Sequence, residues 1–201
     1  MKSDEVPLEY RGIFEWIPNG SSVLDLGCGN GELLALLVQK RDAKAQGIEL
    51  NDQAIHQCVA KGLSVFHEDI DNGLAEYPDA TFDFVILNQS FQQVKKPDWV
   101  LKEALRVGRK VIIGFPNFAY CKARWQIFFK GKVPVTTSLP YEWHDTPNLH
   151  FFSILDFIDY CRQRRFQIER SFFIGQNRRI KFLPNFFAQV GIFLISAKNH
   201  Y

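Results

Sequence analysis

Residues 23–31 read VLDLGCGNG. An apolar run that includes Asp25 meets three glycines, Gly27, Gly29 and Gly31, at alternate positions. From Glu32 to Gln39 the chain then carries leucines at 33, 34, 36 and 37. A short apolar run ending in glycines reads as a buried strand, and the leucine-rich stretch as a helix packed on a sheet. Glycines in the turn between them permit positive φ and a close approach of the main chain to a ligand. The first N–H groups of the helix are left free to bind. A strand, a bare turn and a helix make a site for a nucleotide-like molecule, and they commit the rest of the chain to building a sheet around it.

The pattern downstream supplies that sheet. Strands are predicted at Val23–Leu26, Ala45–Leu50, Leu63–His67, Phe82–Leu87 and Lys110–Gly114. Helices are predicted at Glu32–Gln39, Asp52–Lys61 and Pro97–Val107, the last closed by Gly108. Tyr10, Ile13, Phe14 and Ile17 recur at helical spacing before Pro18. Alternation of this kind predicts an α/β fold with a parallel sheet and right-handed crossovers. After Pro116 the rhythm breaks. Residues 118–130 read as a helix with Trp125, Phe128 and Phe129 as a buried apolar stripe. Residues 131–150 hold three prolines without a period and read as a long structured loop or hairpin. Ser153 is placed to cap a helix to about Arg164. Phe166–Ile174 and Gly191–Ala197 are the final strands, joined by an irregular link over 175–190. The whole of 1–201 is expected to be one domain, with a helix-and-loop cap inserted at about 116–152.

Composition narrows the classes of function. A net charge of +2 over 201 residues gives no field that favours nucleic acid as a partner. The basic residues of the second half, Lys122, Arg124, Lys130 and Lys132 among them, read as a solvated face. Cys28, Cys58, Cys121 and Cys161 form no CxxC pair, which argues against a zinc site or disulfide framework. The charged start MKSDEVPLEY lacks a signal-peptide core, and no apolar run reaches the ~20 residues of a membrane span. A cytoplasmic protein with reduced thiols is expected, without a membrane or nucleic-acid partner. His144 and His150, near Glu142 and Asp145, lack the spacing of a metal site.

The glycine spacing is G-x-G-x-G. The dehydrogenase fingerprint G-x-G-x-x-G fails because Glu32 stands at its third glycine, and no Gly-Lys-Ser/Thr follows to make a P-loop. Acids near the turn would repel a pyrophosphate and suit a ligand with an ammonium and a sulfonium. DLGCGNG, with Asp25 two residues ahead of the first glycine, resembles motif I of the class I S-adenosylmethionine-dependent methyltransferases. That resemblance implies a Rossmann-like sheet of seven strands in the order 3-2-1-4-5-7-6, the last antiparallel. It implies a cofactor, S-adenosylmethionine or S-adenosylhomocysteine, held by Asp25, Gly27, Cys28, Gly29, Asn30 and Gly31. Glu49, in QGIEL beside Leu50, ends the second strand, where a carboxylate accepts from ribose hydroxyls. Asp69, in HEDID, follows the third strand, placed to accept from an adenine amino group while the Ile70 N–H meets a ring nitrogen. Asn88 and Gln89, at the end of FDFVILN, are placed to hold the methionine part or an acceptor. Cys28 lies near a helix N-terminus, which favours a thiolate, although its small volume suits packing beneath a ligand.

Three runs in the second half are more specific. QSFQQVKKPDWVLKEALRVGRKVIIGFPNF, KVPVTTSLPYEWHDTPNLHFFSILDF and FLPNFFAQ look like the methionine biosynthesis protein MetW family, with LPYEWHDTPNLH the most specific stretch. Asn30 departs from that family's GCGDG. The resemblance, which spans about Arg11 to Ala197, implies a methyltransferase-like protein that works with homoserine O-acyltransferase to support homoserine acylation, as a partner or activator. An active methyltransferase with a small-molecule acceptor is the alternative. No residue's sequence position compels a role as catalytic base; Tyr120, Tyr141 and His144 are the candidates.

Overall fold

The computed structural model describes residues 6–197. The outermost ends of the expected 1–201 domain, residues 1–5 and 198–201, lie outside the described residues. Five strands, β1 (Ser22–Leu26), β2 (Lys44–Glu49), β3 (Ser64–His67), β4 (Phe82–Asn88) and β5 (Gly108–Pro116), run parallel to one another. Between them lie the helices α2 (Glu32–Arg41), α3 (Asp52–Ala60) and α4 (Pro97–Val107), and α1 (Leu8–Trp16) precedes β1. After β5 come α5 (Cys121–Trp125), a π-helical turn at Gln126–Lys130 and α6 (Ile154–Arg164). The chain closes with β6 (Phe166–Gly175), β7 (Arg178–Arg179), α7 (Pro184–Phe187) and β8 (Val190–Ala197).

The eight strands form one sheet in the order β3-β2-β1-β4-β5-β8-β6-β7, with β8 antiparallel to both β5 and β6. Without β7, this is the expected order of seven. β7 is an addition inside the segment read as an irregular link. Gln176 and Asn177 both take positive φ there, at 31° and 59°, and fold two residues back onto the end of β6. That conformation suits a tight hairpin, but Gln-Asn is a weaker turn signal than a glycine would be.

The sheet is covered on both sides, so its central strands are apolar on both faces. On one face Leu24, Val85, Leu87 and Ile113 pack against Val100, Leu101 and Ala104 of α4 and Phe157 of α6. On the other, Val23, Ile86 and Ile112 pack against Ile13 and Phe14 of α1 and Leu33 and Leu37 of α2. A cluster of phenylalanines packs beneath α6. Phe115 stacks on Phe193 at 5.8 Å and 5°, with Phe152 and Phe157 tilted against them.

One packing expectation is overturned. Trp125, Phe128 and Phe129 are 62%, 81% and 62% exposed. They lie where α5 runs into the π-helical turn, and there they pack on one another, Trp125 stacked on Phe129 at 4.3 Å and Phe128 edge-on to Phe129 at 4.7 Å. Helical spacing aligned these rings on one face, but no element of the sheet lies opposite that face to bury them.

The expected cap on α6 is present. Ser153 accepts from the Asp156 N–H while Asp156 accepts from the Ser153 N–H, a reciprocal capping box. Ser153→Ala is expected to cost about 1 kcal/mol, which lowers the melting midpoint by roughly 2–4 °C in a domain of this size. Urea unfolding of the two proteins checks it.

Candidate ligand-binding site

β1 stops at Leu26, and the glycine turn lifts the chain over the carboxyl ends of β1, β2 and β4. Gly27 and Cys28 donate their N–H groups to the Ile48 carbonyl at 2.8 and 3.1 Å. Gly27 holds φ +77°, and a Cβ there would meet the Ser90 Cβ at 2.7 Å, so glycine is required twice over. Glu49 fixes the turn from the end of β2. Its Oε2 accepts from the Gly29 N–H at 2.8 Å, and its Oε1 accepts from the Leu50 and Asn51 N–H groups at 2.8 and 3.0 Å. Ser90 donates its hydroxyl to the Leu26 carbonyl at 2.6 Å and ties the far wall to the same strand end.

The result is a cleft of about 470 Å³. Asp25, Gly27, Cys28, Gly29, Asn30, Glu49, Leu50, Asp69, Ile70 and Asn88 all line it. Gly31 does not. It sits at the start of α2 with φ +76°, where a Cβ would meet Leu63 at 2.6 Å and Cys58 at 2.7 Å. Its place is to let α2 and α3 pack. The sequence reading missed Tyr10, which reaches over from α1 and donates to Glu32 Oε2 at 3.4 Å. Nothing local to Tyr10 could have signalled this, because the contact is made by helix packing. Glu68 and Asp71, also missed, flank Asp69 in the HEDID run. Asp71 accepts from the Lys95 and Lys96 N–H groups and anchors the turn that carries Asp69 to the start of α4.

The lining carries six carboxylates and no Lys, Arg or His. Asp25 is 3% exposed, and its Oδ1 has no hydrogen-bond partner. Burial, and then the charge of Glu49, push its carboxyl up to about 7. Cys28 is a packed thiol: burial raises its pKa well above that of a free thiol, and the charge of Asp25 adds to this, against the pull of the helix N-terminus. The sulfur packs beside Gly47, where a Cβ would come within 2.6 Å of it. Tyr10 is held protonated, pushed up to about 12 by burial and then by Glu9.

The three base candidates separate. Tyr120 is buried and its hydroxyl accepts from Gln176, outside the cleft. His144 is exposed, with Nδ1 3.7 Å from Glu142. Tyr141 lines a neighbouring cleft. His150 sets its Nε2 3.0 Å from the Val94 carbonyl. Among the described residues no cluster of three His, Cys, Asp or Glu is arranged to hold a metal ion, and no helix is long and apolar enough to cross a membrane.

Sheet order, glycine turn and acid-lined cleft define a Rossmann-like methyltransferase fold. Solved structures agree on the fold. A SAM-dependent methyltransferase from Archaeoglobus fulgidus superposes with a TM-score of 0.71 at 15% identity, over 96% of this chain and 94% of that one. One from Aquifex aeolicus gives 0.62 at 16% identity, over 93% and 88%. The profile of the family described as methionine biosynthesis protein MetW matches residues 8–195, and the chain belongs to that family. A relative from Rhodopirellula baltica, the bifunctional methionine biosynthesis protein MetXA/MetW, is 37% identical over 185 residues. The match takes in 87% of this chain and 30% of that relative, so the chain spans less than a third of its length.

The state of Asp25 sets a pH dependence. Below about pH 4 the carboxyl is protonated in the folded and unfolded chain alike and favours neither. Between there and pH 7 the unfolded chain releases the proton while the folded chain keeps it, so folding is weakened as pH rises through the folded pKa. Above that point the cost is on the order of 4 kcal/mol. Asp25→Asn removes it and is expected to raise the ligand-free melting temperature markedly at pH 8 and little at pH 4. Calorimetric scans at the two pH values check this; an equal effect at both would contradict it.

Proposed function

We propose that the chain binds S-adenosylmethionine or S-adenosylhomocysteine in the acid-lined cleft and works with a homoserine O-acyltransferase in methionine biosynthesis. The observation that carries the first half is the charge of the cleft. Five carboxylates beside the protonated Asp25, without a cation, repel a diphosphate and suit an ammonium, and in S-adenosylmethionine a sulfonium as well. The residues fit the group. The orphaned Asp25 Oδ1 and the bare turn at Gly27 and Gly29 would receive the amino-acid end. Glu49 would receive the ribose, and Asp69 with the Ile70 N–H the adenine. When bound, S-adenosylmethionine supplies an electrophilic methyl group. The chain's own part is to orient the ligand with main-chain N–H groups and balance its charge with carboxylates. Glu49→Ala takes away the expected ribose acceptor and the brace on Gly29. Calorimetric titration with S-adenosylhomocysteine is expected to show a loss of about 1.5–3 kcal/mol, roughly ten- to a hundredfold in Kd. Unchanged affinity overturns this assignment.

The partnership rests on the Rhodopirellula baltica relative, whose name joins MetXA to MetW in one protein. Two activities in one chain point to two chains that meet. The surface we assign to the meeting is the exposed cluster of Trp125, Phe128 and Phe129, bordered by Lys122 and Lys130. Aromatic anchors with a polar rim are the usual composition of a protein–protein hot spot. Phe128→Asp is expected to abolish co-purification with the homoserine O-acyltransferase of the same organism and to leave S-adenosylhomocysteine binding intact. Co-purification unaffected by Phe128→Asp and Trp125→Ala removes that surface from the assignment. Absence of any complex, with no change in acylation rate, removes the partnership.

A further inference from the structure

The run FLPNFFAQ, residues 182–189, takes no part in the acid-lined cleft. It forms α7 and its flanks, and it inverts the usual arrangement of a surface segment. Its polar side chains are the anchors. Asn185 accepts from the Leu155 N–H with its Oδ1 at 3.3 Å, and Gln189 accepts from the Gln176 N–H with its Oε1 at 3.0 Å. Beneath them the buried Asn117 donates its amide to the Asn185 and Ala188 carbonyls at 3.0 and 2.8 Å. Its apolar side chains are left outside. Phe182 is 73% exposed, and Leu183, Phe186 and Phe187 are exposed with it. Leu183 holds φ +42°, a conformation costly for a non-glycine residue that persists only where its surroundings enforce it. A segment fastened by its amides and bare at its rings is a rigid apolar surface of the kind that marks an interaction site.

This surface adjoins the aromatic cluster of α5. Arg124, next to Trp125 in the chain, sets its guanidinium 5.7 Å from the centre of the Phe186 ring. Gln176, between β6 and β7, donates to the hydroxyl of Tyr120 at the start of α5. The charge around both parts is of one sign. Residues 116–141 hold four Lys and Arg, residues 171–197 hold three, and neither stretch holds an Asp or Glu. Lys122, Lys130, Lys132, Arg178 and Lys181 make no ion pair among the described residues. Asp156 and Asp159 of the adjoining α6 are already engaged, by Ser153 and by Arg162. In a chain whose net charge is only +2, seven cations are gathered here around exposed rings. A second copy laid on this face would bring like charges together, whereas carboxylates on a different protein would complete it.

We propose that α7 and the α5 cluster are two halves of one docking face, and that they meet an acidic surface with apolar recesses on the homoserine O-acyltransferase. The inference rests on the partnership proposed above and adds to it the α7 half of the face and the sign of the partner's charge.

Surface plasmon resonance between the whole chain and the acyltransferase of the same organism tests it. Raising salt from about 0.05 to 0.5 M is expected to slow association about tenfold, because screening removes the attraction between a cationic and an acidic face. Arg178→Glu with Lys181→Glu is expected to slow association at low salt and to flatten the salt dependence. Arg179 is left in place because its guanidinium packs 4.6 Å over the Phe172 ring. Phe182→Ser with Phe186→Ser removes rings without changing charge, and is expected to weaken the complex about tenfold through faster dissociation. Thermal melting confirms that each variant is folded, and the charge reversal, on exposed side chains, carries the test even where the Phe pair unfolds the chain. A complex indifferent to both variants overturns the inference and leaves the partnership standing. An association rate unchanged by salt overturns it as well. No complex at either salt concentration removes the partnership and the inference together. Dimers of the chain alone, or binding to vesicles of phosphatidylglycerol and phosphatidylcholine, lost in the Phe pair, would give the face to a second copy or to a membrane and overturn it.

Discussion

One carboxylate organises the binding face. Glu49 takes three main-chain N–H groups, from Gly29 in the turn after β1 and from Leu50 and Asn51 beyond β2. It joins the crossover after β1 to the one after β2, alongside the bonds from Cys58 and Lys61 to the Gly29 and Asn30 carbonyls, and Asn51 then caps α3 with a bond to the Ala54 N–H. With Glu49 held there, its charge stays beside Asp25. Burial and that neighbouring charge together keep the Asp25 carboxyl protonated up to about pH 7. A mobile Glu49 would loosen the glycine turn and relieve Asp25 at the same time, so the shape of the cleft and its proton inventory have a common origin.

The position of the cleft follows from topology. β1 is flanked by β2 and β4, and the crossovers leave it on opposite sides. Crevices at such switch points, outside the carboxyl ends of the strands, are where open α/β sheets bind ligands. Asn88, Gln89 and Ser90 leave β4 at that point and turn through a 3-10 segment at Phe91–Gln93. That short stretch separates the two clefts and shapes both. It is tied down in three directions: by Ser90 to β1, by Gln92 to the loop that ends at His150, and by the Gln89 N–H to the Gly114 carbonyl.

Much of this was legible in the sequence, for identifiable reasons. The parallel strands announce themselves because burial on both faces demands unbroken apolar runs, as in Phe82–Asn88. Pro97 and Gly108 mark the ends of α4 as their backbone chemistry requires. The acids at the strand ends, Glu49 and Asp69, were readable because the strand boundary fixes where they project. Tyr10 and Glu9 were not, because only the packing of α1 across the sheet brings them to the clefts. The exposure of Trp125, Phe128 and Phe129 was misread for a related reason. Periodicity shows that side chains share a face and says nothing of whether another element covers it. Gly31 lies behind the lining, against Leu63 and Cys58, a packing demand that a motif does not distinguish from a ligand's.

The placement of β8 has a consequence for how the chain is made. It is the last of the described strands in chain order, yet it lies inside the sheet between β5 and β6, with Ile192, Phe193, Leu194 and Ile195 all buried. During synthesis the ribosome must release these residues before β5 acquires its second neighbour, and until then the edge of β5 stays unpaired and open to wrong partners. A nascent chain that stalls or is truncated before residue 190 therefore presents an unfinished sheet, and protection of that edge falls to chaperones and to how fast residues 190–197 emerge.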